Sequence, residues 1–282
     1  MSTDEVQSTR CRVSVIMLTI DRPQYIESAI ASVLGQTLAD WELIIVHDGG
    51  DERMKSTVKR WLAVDARIRY LPRDHIGNIA NALNYGIGEA RGEYIAILDD
   101  DDAWLDKRKI ELQVTALAGN AGLAAVGGGA VVVDHSGAET MHYNRPSDPA
   151  ECARRALVAN PLIHSTVLFR RSSAEAVGLY DESLAGYQDW DLWLKLMRKE
   201  KVTNLPYYFA TYRIWDGGGS STKIMGNAWS SVRIVARHRA HYPGALFAMI
   251  GSLCYVAFAL LPAGIRRRFY QALTRLKKSI FS

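Results

Sequence analysis

The 282-residue chain has 34 basic and 30 acidic side chains, and 48% of its residues are apolar, enough for a sizeable core and unlike a disordered chain. That length fits one large domain or a domain with an appendage. Cys11, Cys152 and Cys254 lie too far apart for a CxxC metal site and are too few for a disulfide framework, which points to a reducing compartment.

Residues 1–10 are polar and hold no apolar h-region, so no cleavable export signal is expected there. Val13 to Leu18 (VSVIML) is a short apolar, β-branched run that predicts a buried strand. Pro23 suits the first position of a helix, and Tyr25, Ile26, Ala29, Ile30, Val33 and Leu34 then recur at helical spacing up to Gly35. A second strand, Glu42 to Val46, runs into His47-Asp48-Gly49-Gly50. Weaker strands follow at Ile68 to Leu71 and Tyr94 to Leu98, with a helix from about Asn78 to Ala90 between them. This alternation predicts a parallel sheet covered by helices. Farther on, Leu123 to Val133 reads as a strand bent at Gly127 to Gly129, and Thr166 to Phe169 as another. A helix is expected from near Asp189, a strand pair at Tyr207 to Arg213, and a mobile loop at Gly217 to Ser221.

Asp99, Asp100, Asp101 and Asp102 directly follow the strand YIAIL. In open α/β sheets ligands sit beyond the carboxyl ends of the strands, so this cluster lies where a site is expected. Four adjacent acids repel one another, and a divalent cation relieves that repulsion. Oxygen ligands suit Mg²⁺ or Mn²⁺, which bind through one or two carboxylates plus substrate phosphates. The alternative is a solvated acidic turn with Asp106 as a helix N-cap. Asp48 ends the neighbouring strand, where a carboxylate can accept N–H bonds from a nucleobase while Gly49 and Gly50 allow a tight turn. Alone, Asp-Gly after a strand marks only a turn.

The segments VSVIMLTIDRPQYIESAIASVLGQT, WELIIVHDGG, GIGEARGEYIAILDDDDAW and YQDWDLWLKL together resemble the family-two glycosyltransferases of the GT-A fold, over about residues 12–216. The resemblance implies a Rossmann-like, mostly parallel α/β sheet flanked by helices. It also implies a nucleotide-sugar donor, a divalent metal (Mn²⁺ or Mg²⁺) held by a DxD motif, and inversion at the anomeric carbon. On it, Thr19, Asp21 and Asp48 map to the nucleoside pocket, Asp99 and Asp100 to the ribose and sugar-phosphate region, and Asp101 to the metal. The chain departs from the family pattern at His47, where Asp is frequent, at Asp21, where Asn is frequent, and at Trp215, where the family's Tyr-Arg-x-His segment ends in histidine.

An inverting transfer needs a base for the acceptor hydroxyl. Asp189 and Asp191 are both available, but residues two apart on a helix point about 200° from each other, so only one faces a common site. Trp190, Trp193, Leu194 and Met197 form an apolar sector with Asp189 at its edge, where it is either a base or an N-cap. Asp191 falls opposite, in range of an i,i+4 pair with Lys195. The family's Glu-Asp motif appears as Gln188-Asp189 and gives the base role to its second position, so Asp189 is the catalytic candidate. Arg213 and Lys223 flank the Gly217 to Ser221 loop and either meet the donor's diphosphate through that loop or are ordinary surface charges. His164, Arg170 and Arg171 read as structural.

After Asp216 there is no acid, and ten basic residues give the segment 217–282 a charge of +10 against −6 for residues 1–216. Residues 242–265 carry no formal charge, and Gly244 to Leu261 would span about 27 Å as a helix, close to a bilayer's roughly 30 Å core. Phe269, Ala272, Leu273, Leu276 and Ile280 then recur helically beside basic residues, the pattern of an interfacial helix on anionic lipid. The alternative is a hairpin packed on the catalytic domain. No groove-reading or base-stacking motif is present, so nucleic acid is not expected as a partner.

The expectation is therefore a GT-A catalytic domain over residues 1–222, its nucleotide-sugar half at about 12–118 and its acceptor half at 119–222, followed by a basic, apolar helical region at 223–282 that associates with membrane. The activity expected is transfer of a sugar to a hydroxyl of a glycan or lipid-linked glycan at the cytoplasmic face of a membrane, for cell-surface polysaccharide synthesis. A metal-dependent nucleotidyltransferase and an inactive membrane-attached nucleotide-sugar binding protein are the alternatives.

Overall fold

The computed structural model describes residues 11–214 and 224–266. Lys223, Trp215, the Gly217 to Ser221 loop and the predicted helix at 269–280 lie outside the described residues.

The strands and helices of the first half alternate as β1 (Val13–Thr19), α1 (Pro23–Leu34), β2 (Trp41–Asp48), α2 (Glu52–Leu62), β3 (Ile68–Arg73), α3 (Ile79–Gly88), β4 (Tyr94–Ile97) and α4 (Lys109–Ala118). The second half holds β5 (Leu123–Val133), β6 (Glu139–Tyr143), α5 (Pro149–Arg155), β7 (Leu168–Arg170), α6 (Arg171–Glu175), α7 (Gln188–Met197), β8 (Lys201–Arg213), α8 (Ile224–His238) and α9 (Ala245–Leu260). One eight-stranded sheet has the order β3-β2-β1-β4-β7-β5-β6, with β8 paired to β5. The strands β1 to β4 run parallel, and β7 is antiparallel to β4. A parallel sheet of this kind must be covered on both faces. Val13, Val15 and Met17 pack with Ile26, Ile30 and Ile110 on one face, while Ile16 packs with Leu83, Ile87 and Trp193 on the other.

The α/β architecture is the expected one, and the register of β5 against β8 shifts at Gly127 and Gly129, where the bend was predicted. Three local expectations are corrected. The strand predicted at Thr166 begins at Leu168, because the hydroxyl of Thr166 bonds the carbonyl of Ile163 and closes a 3₁₀ turn over His164–Thr166. Instead of a strand pair at 207–213 there is one long strand, β8, held parallel to β5. Asp106 does not cap α4. Its carboxylate accepts the N–H of Arg108, and the helix begins at Lys109.

The helices α8 and α9 lie together and pack on α7. Ser230 accepts the N–H of Ala185 at 3.1 Å, and the Tyr242 hydroxyl donates to the carbonyl of Leu194 at 2.6 Å. Asp191 is buried beneath α8, bonded to Arg237 and His238 at 2.9 Å and 3.3 Å from Lys195. The predicted i,i+4 pair exists, but it belongs to a buried knot between helices. The opposite side of α9 is open to solvent, with Leu246, Phe247, Ile250, Leu253 and Leu260 each at least half exposed. Among the described residues, no helix is long and apolar enough to cross a membrane.

Candidate active site

The carboxyl ends of β1, β2 and β4 deliver three acidic groups to one edge of the sheet. At the end of β1, Asp21 takes a left-handed backbone (φ 46°), a conformation that costs a non-glycine residue energy and turns its carboxylate across the strand ends. That carboxylate meets His47 at 2.8 Å and accepts the N–H of Asp51 at 2.8 Å. Burial opposes its charge, but these bonds outweigh it and hold Asp21 below the usual carboxylate range. A Cβ at position 49 would fall 2.7 Å from the Asp21 carboxylate and would have to displace it. His47 is fixed from its other side by the Tyr70 hydroxyl at 2.6 Å, an anchoring role for the residue that departs from the family pattern.

Asp48 accepts the N–H groups of Ile76 and Gly77 at 2.9 Å, and its side chain is almost fully buried, so it shapes the loop after β3. That loop walls a cleft of about 480 Å³ lined by Gly49, Gly50, Lys55, Arg73 and His75. Thr19 and Asp100 lie side by side. Both are wholly buried, the threonine hydroxyl donating to Asp100 at 2.5 Å, and Arg22 closes over them. The sequence reading missed Arg22, whose guanidinium binds Asp100 and reaches Asp101 at 2.5 Å. Its partners lie 78 and 79 residues away, beyond any local pattern.

The four aspartates are therefore not equivalent. Burial, reinforced by the charges of Asp101 and Asp99, pushes Asp100 up to about 7 against the opposing pull of Arg22 and Thr19. Burial and the same neighbours raise Asp102 well above its ordinary value. Asp102 accepts the Ser165 hydroxyl at 2.5 Å and the N–H of Arg213 at 2.9 Å. Arg213 thus clamps the acidic turn, its side chain also bonding the carbonyls of Asp101 and Asp134. The carboxylates left facing solvent are Asp99, whose side chain is 39% exposed, and Asp101, 13% exposed.

Asp189 sits in the first turn of α7, one residue past the helix start. It is not the N-cap, since that position is Tyr187, held at φ 58°. A Cβ at position 186 would lie 2.1 Å from the Asn227 carboxamide oxygen, so a larger residue there would have to displace the Asn227 side chain on α8. The Asp189 carboxylate accepts a hydrogen bond from Asn160 at 2.6 Å. His164 and Tyr180, 3.0 Å apart, stand between the two acidic centres, with His164 3.7 Å from Asp99. Burial works against the charge of His164, but Asp99 and Asp189 outweigh it and raise its pKa. Burial raises Tyr180, and Asp189 and Asp99 push it in the same direction. The charges of Asp99 and Asp189 thus both act on this pair of side chains. Asn160, Ser165 and Tyr180 were not singled out from sequence, while His164, read as structural, lies at the centre. Arg170 and Arg171 are structural as expected, bonded to the carbonyls of Leu123 and Ala90.

A divalent cation fits this donor set. Mg²⁺ and Mn²⁺ use one or two protein carboxylates and take their other ligands from water and phosphates, which matches Asp99 and Asp101 at the solvent side of the turn. Among the described residues no three His, Cys, Asp or Glu side chains converge as a self-sufficient metal cage.

The chain is similar to known proteins over most of its length. An uncharacterized glycosyltransferase of Rickettsia typhi is 30% identical over 197 residues, covering 67% of this chain and 60% of the relative. The O-antigen biosynthesis glycosyltransferase WbnJ of Escherichia coli is 29% identical over 209 residues, covering 72% of this chain and 79% of that protein. The chain spans between 28% and 60% of the length of its first five curated relatives. Among solved structures, the mannosyltransferase PcManGT from Pyrobaculum calidifontis, in complex with GDP-Man and Mn²⁺, superposes with a TM-score of 0.65 at 19% identity, over 94% of this chain and 80% of that one. S. aureus TarS 1-349 in complex with UDP-GlcNAc gives 0.60 at 14% identity, over 88% and 71%. These likenesses establish a shared fold. The family profile described as glycosyl transferase family 2 matches residues 14–178, more than half of the sequence, and the chain belongs to that family.

Proposed function

We propose that this chain is an inverting, metal-dependent glycosyltransferase that moves a sugar from a nucleoside-diphosphate donor to a hydroxyl of a glycan, one carried on a membrane lipid at the cytoplasmic face. The observation that supports the reading is His164, 3.7 Å from Asp99 and subject to the charges of both Asp99 and Asp189, with Asp189 held by Asn160. One relative named for O-antigen biosynthesis and the donors seen in structural neighbours support the substrate class and a role in cell-surface polysaccharide synthesis.

In this reading the donor's base lies in the cleft walled by the loop that Asp48 holds, and its phosphates meet the turn at Asp99 and Asp101. A divalent cation bound there supplies positive charge to the departing diphosphate. The acceptor oxygen attacks the anomeric carbon as the bond from that carbon to the diphosphate oxygen breaks, with its electron pair leaving on the nucleoside diphosphate. Asp189 takes the hydroxyl proton, and Asn160 fixes which of its oxygens faces the acceptor. Arg22 holds Asp100 and Asp101 in place and adds positive charge at the phosphate side. The membrane role falls to residues 223–282, through the open side of α9 and the basic residues that accompany it.

The test is product analysis. With Mn²⁺ and UDP-, GDP- or dTDP-sugars, the protein should release a nucleoside diphosphate, slowly to water and faster with a glycolipid acceptor. Release of pyrophosphate would indicate nucleotidyl transfer, and donor binding without any release would indicate a binding protein.

A further inference from the structure

One half-buried guanidinium, that of Arg145, lacks the carboxylate partner that many of the arginines have. Arg22, Arg67, Arg69, Arg171 and Arg237 each meet a carboxylate. Arg145, just after β6, meets none of the described acids within 4.0 Å. It lies over the Tyr143 ring at 4.5 Å, and its Nε is out of contact with water and without a hydrogen-bond partner. An unpaired, half-buried guanidinium is costly to keep, and an anionic ligand would complete it.

Its place in the fold is fixed by Asn204 on β8. The carboxamide nitrogen of Asn204 donates to the carbonyl of Pro146 at 2.8 Å and to the carbonyl of Pro161 at 3.1 Å. The residues just before these two prolines, Arg145 and Asn160, are thereby drawn to one spot, and Asn160 is the residue bonded to Asp189. Asn144, on the other side of Arg145, donates to the Tyr208 hydroxyl at 2.7 Å, so the segment is pinned at both ends. Burial weakens Arg145's hold on its proton, while Tyr143 and the charge of Asp189 oppose that loss. In the proposed function the donor's phosphates meet the Asp99 turn and not this segment.

We propose that Arg145 is an anion-binding residue of the acceptor side, taking a phosphate or carboxylate group that the acceptor carries close to the hydroxyl presented to Asp189. The acceptor is then itself an acidic molecule, a sugar phosphate or diphosphate-linked glycan or a uronic-acid glycan, and the guanidinium fixes its register on the base by charge-assisted hydrogen bonds. This rests on the reading of Asp189 as the base.

The test reads the arginine directly. In protein with ¹⁵N-labelled arginine, the Arg145 Nε–H signal is assigned by its loss in Arg145→Lys, and methyl phosphate and glucuronate are titrated separately. A saturable shift with one of them supports the proposal and tells a phosphate from a carboxylate source. No movement with either anion, or a shift no larger than that of surface arginines, overturns it. The same titration on Asp101→Asn should give the same Arg145 shift, whereas loss of the response there would place the anion in the donor site and refute the proposal. A saturable shift in protein that binds no nucleotide-sugar would count against the proposed function and leave the anion site standing. With an acidic acceptor, Arg145→Gln should raise KM at least 10-fold with a smaller change in kcat, and Arg145→Lys should recover part of it.

Discussion

At the scale of single residues, the site depends on partners far apart in sequence. Asp189 was legible because it begins a helix whose apolar sector can be counted, and its separation from Asp191 follows from helical geometry alone. Asn160 was not, because it reaches Asp189 across 29 residues from a segment with no periodic pattern. The acidic run was legible as a site, but the division of labour within it was not. Burial sends Asp100 and Asp102 inward and leaves Asp99 and Asp101 outside, and burial is set by the packing of β1 and β7 around the turn. Asp189→Asn should retain donor affinity and lower kcat by about 10²–10⁴-fold, the usual worth of a general base, measured by nucleoside diphosphate release. A near-normal rate would remove Asp189 from that role. Asn160→Ala should leave donor binding intact and lower kcat by a smaller factor, on the order of 10-fold, since the base keeps its place on the helix but loses the bond that orients it.

At the scale of elements, the alternating strands and helices of the first half follow from β-branched runs and helical periodicity. Less was legible where tertiary contacts decide. Asp191 lies opposite the apolar sector of α7, yet it is buried, because α8 covers that side and supplies Arg237 and His238. The same hairpin grips Asp181, whose carboxylate meets Arg237 at 2.7 Å and Ser183 at 2.6 Å. Burial opposes the Asp181 charge, but these partners outweigh it and bring its pKa down to about 2. A carboxyl group with a folded pKa below its unfolded value adds stability above the unfolded pKa and loses it as pH falls through the folded one. Asp181 should therefore contribute about 2 kcal/mol at neutral pH that fades between about pH 4 and pH 2. Asp181→Asn should lower stability near pH 7 and make it less sensitive to acid over that window, as read by denaturant unfolding at several pH values. An unchanged acid limb would contradict the pairing. Gly186→Ala should destabilise by roughly 1–3 kcal/mol, the range for overpacking, because its Cβ would strike Asn227.

At the scale of the whole molecule, the charge asymmetry visible in the sequence coincides with a structural one. The acids lie in the residues that build the catalytic half, while the segment beyond 216 is basic and exposes the apolar side of α9. A helix of 16 residues, Ala245–Leu260, with Leu246, Phe247 and Ile250 in solvent is suited to lie at a lipid interface, not to cross it. Sequence alone left crossing, lying flat and packing on the domain all open. The structure shows one side of the hairpin packed on α7 and the other uncovered. Phe247→Glu combined with Ile250→Glu should reduce co-sedimentation of the full chain with phosphatidylglycerol vesicles several-fold while leaving its far-UV circular dichroism unchanged. Equal sedimentation of variant and parent would show that this side does not meet lipid.

The central claim is that the aspartate turn after β4 is a metal-dependent donor site, and titration calorimetry tests it most directly. UDP-, GDP- and dTDP-sugars would be titrated into the full chain with and without Mn²⁺, and again into Asp101→Asn. The account predicts saturable binding of one nucleotide class that strengthens with Mn²⁺ and loses that dependence in the variant. Binding of no nucleotide-sugar by folded protein, or binding of equal strength in Asp101→Asn with the metal effect intact, would contradict it.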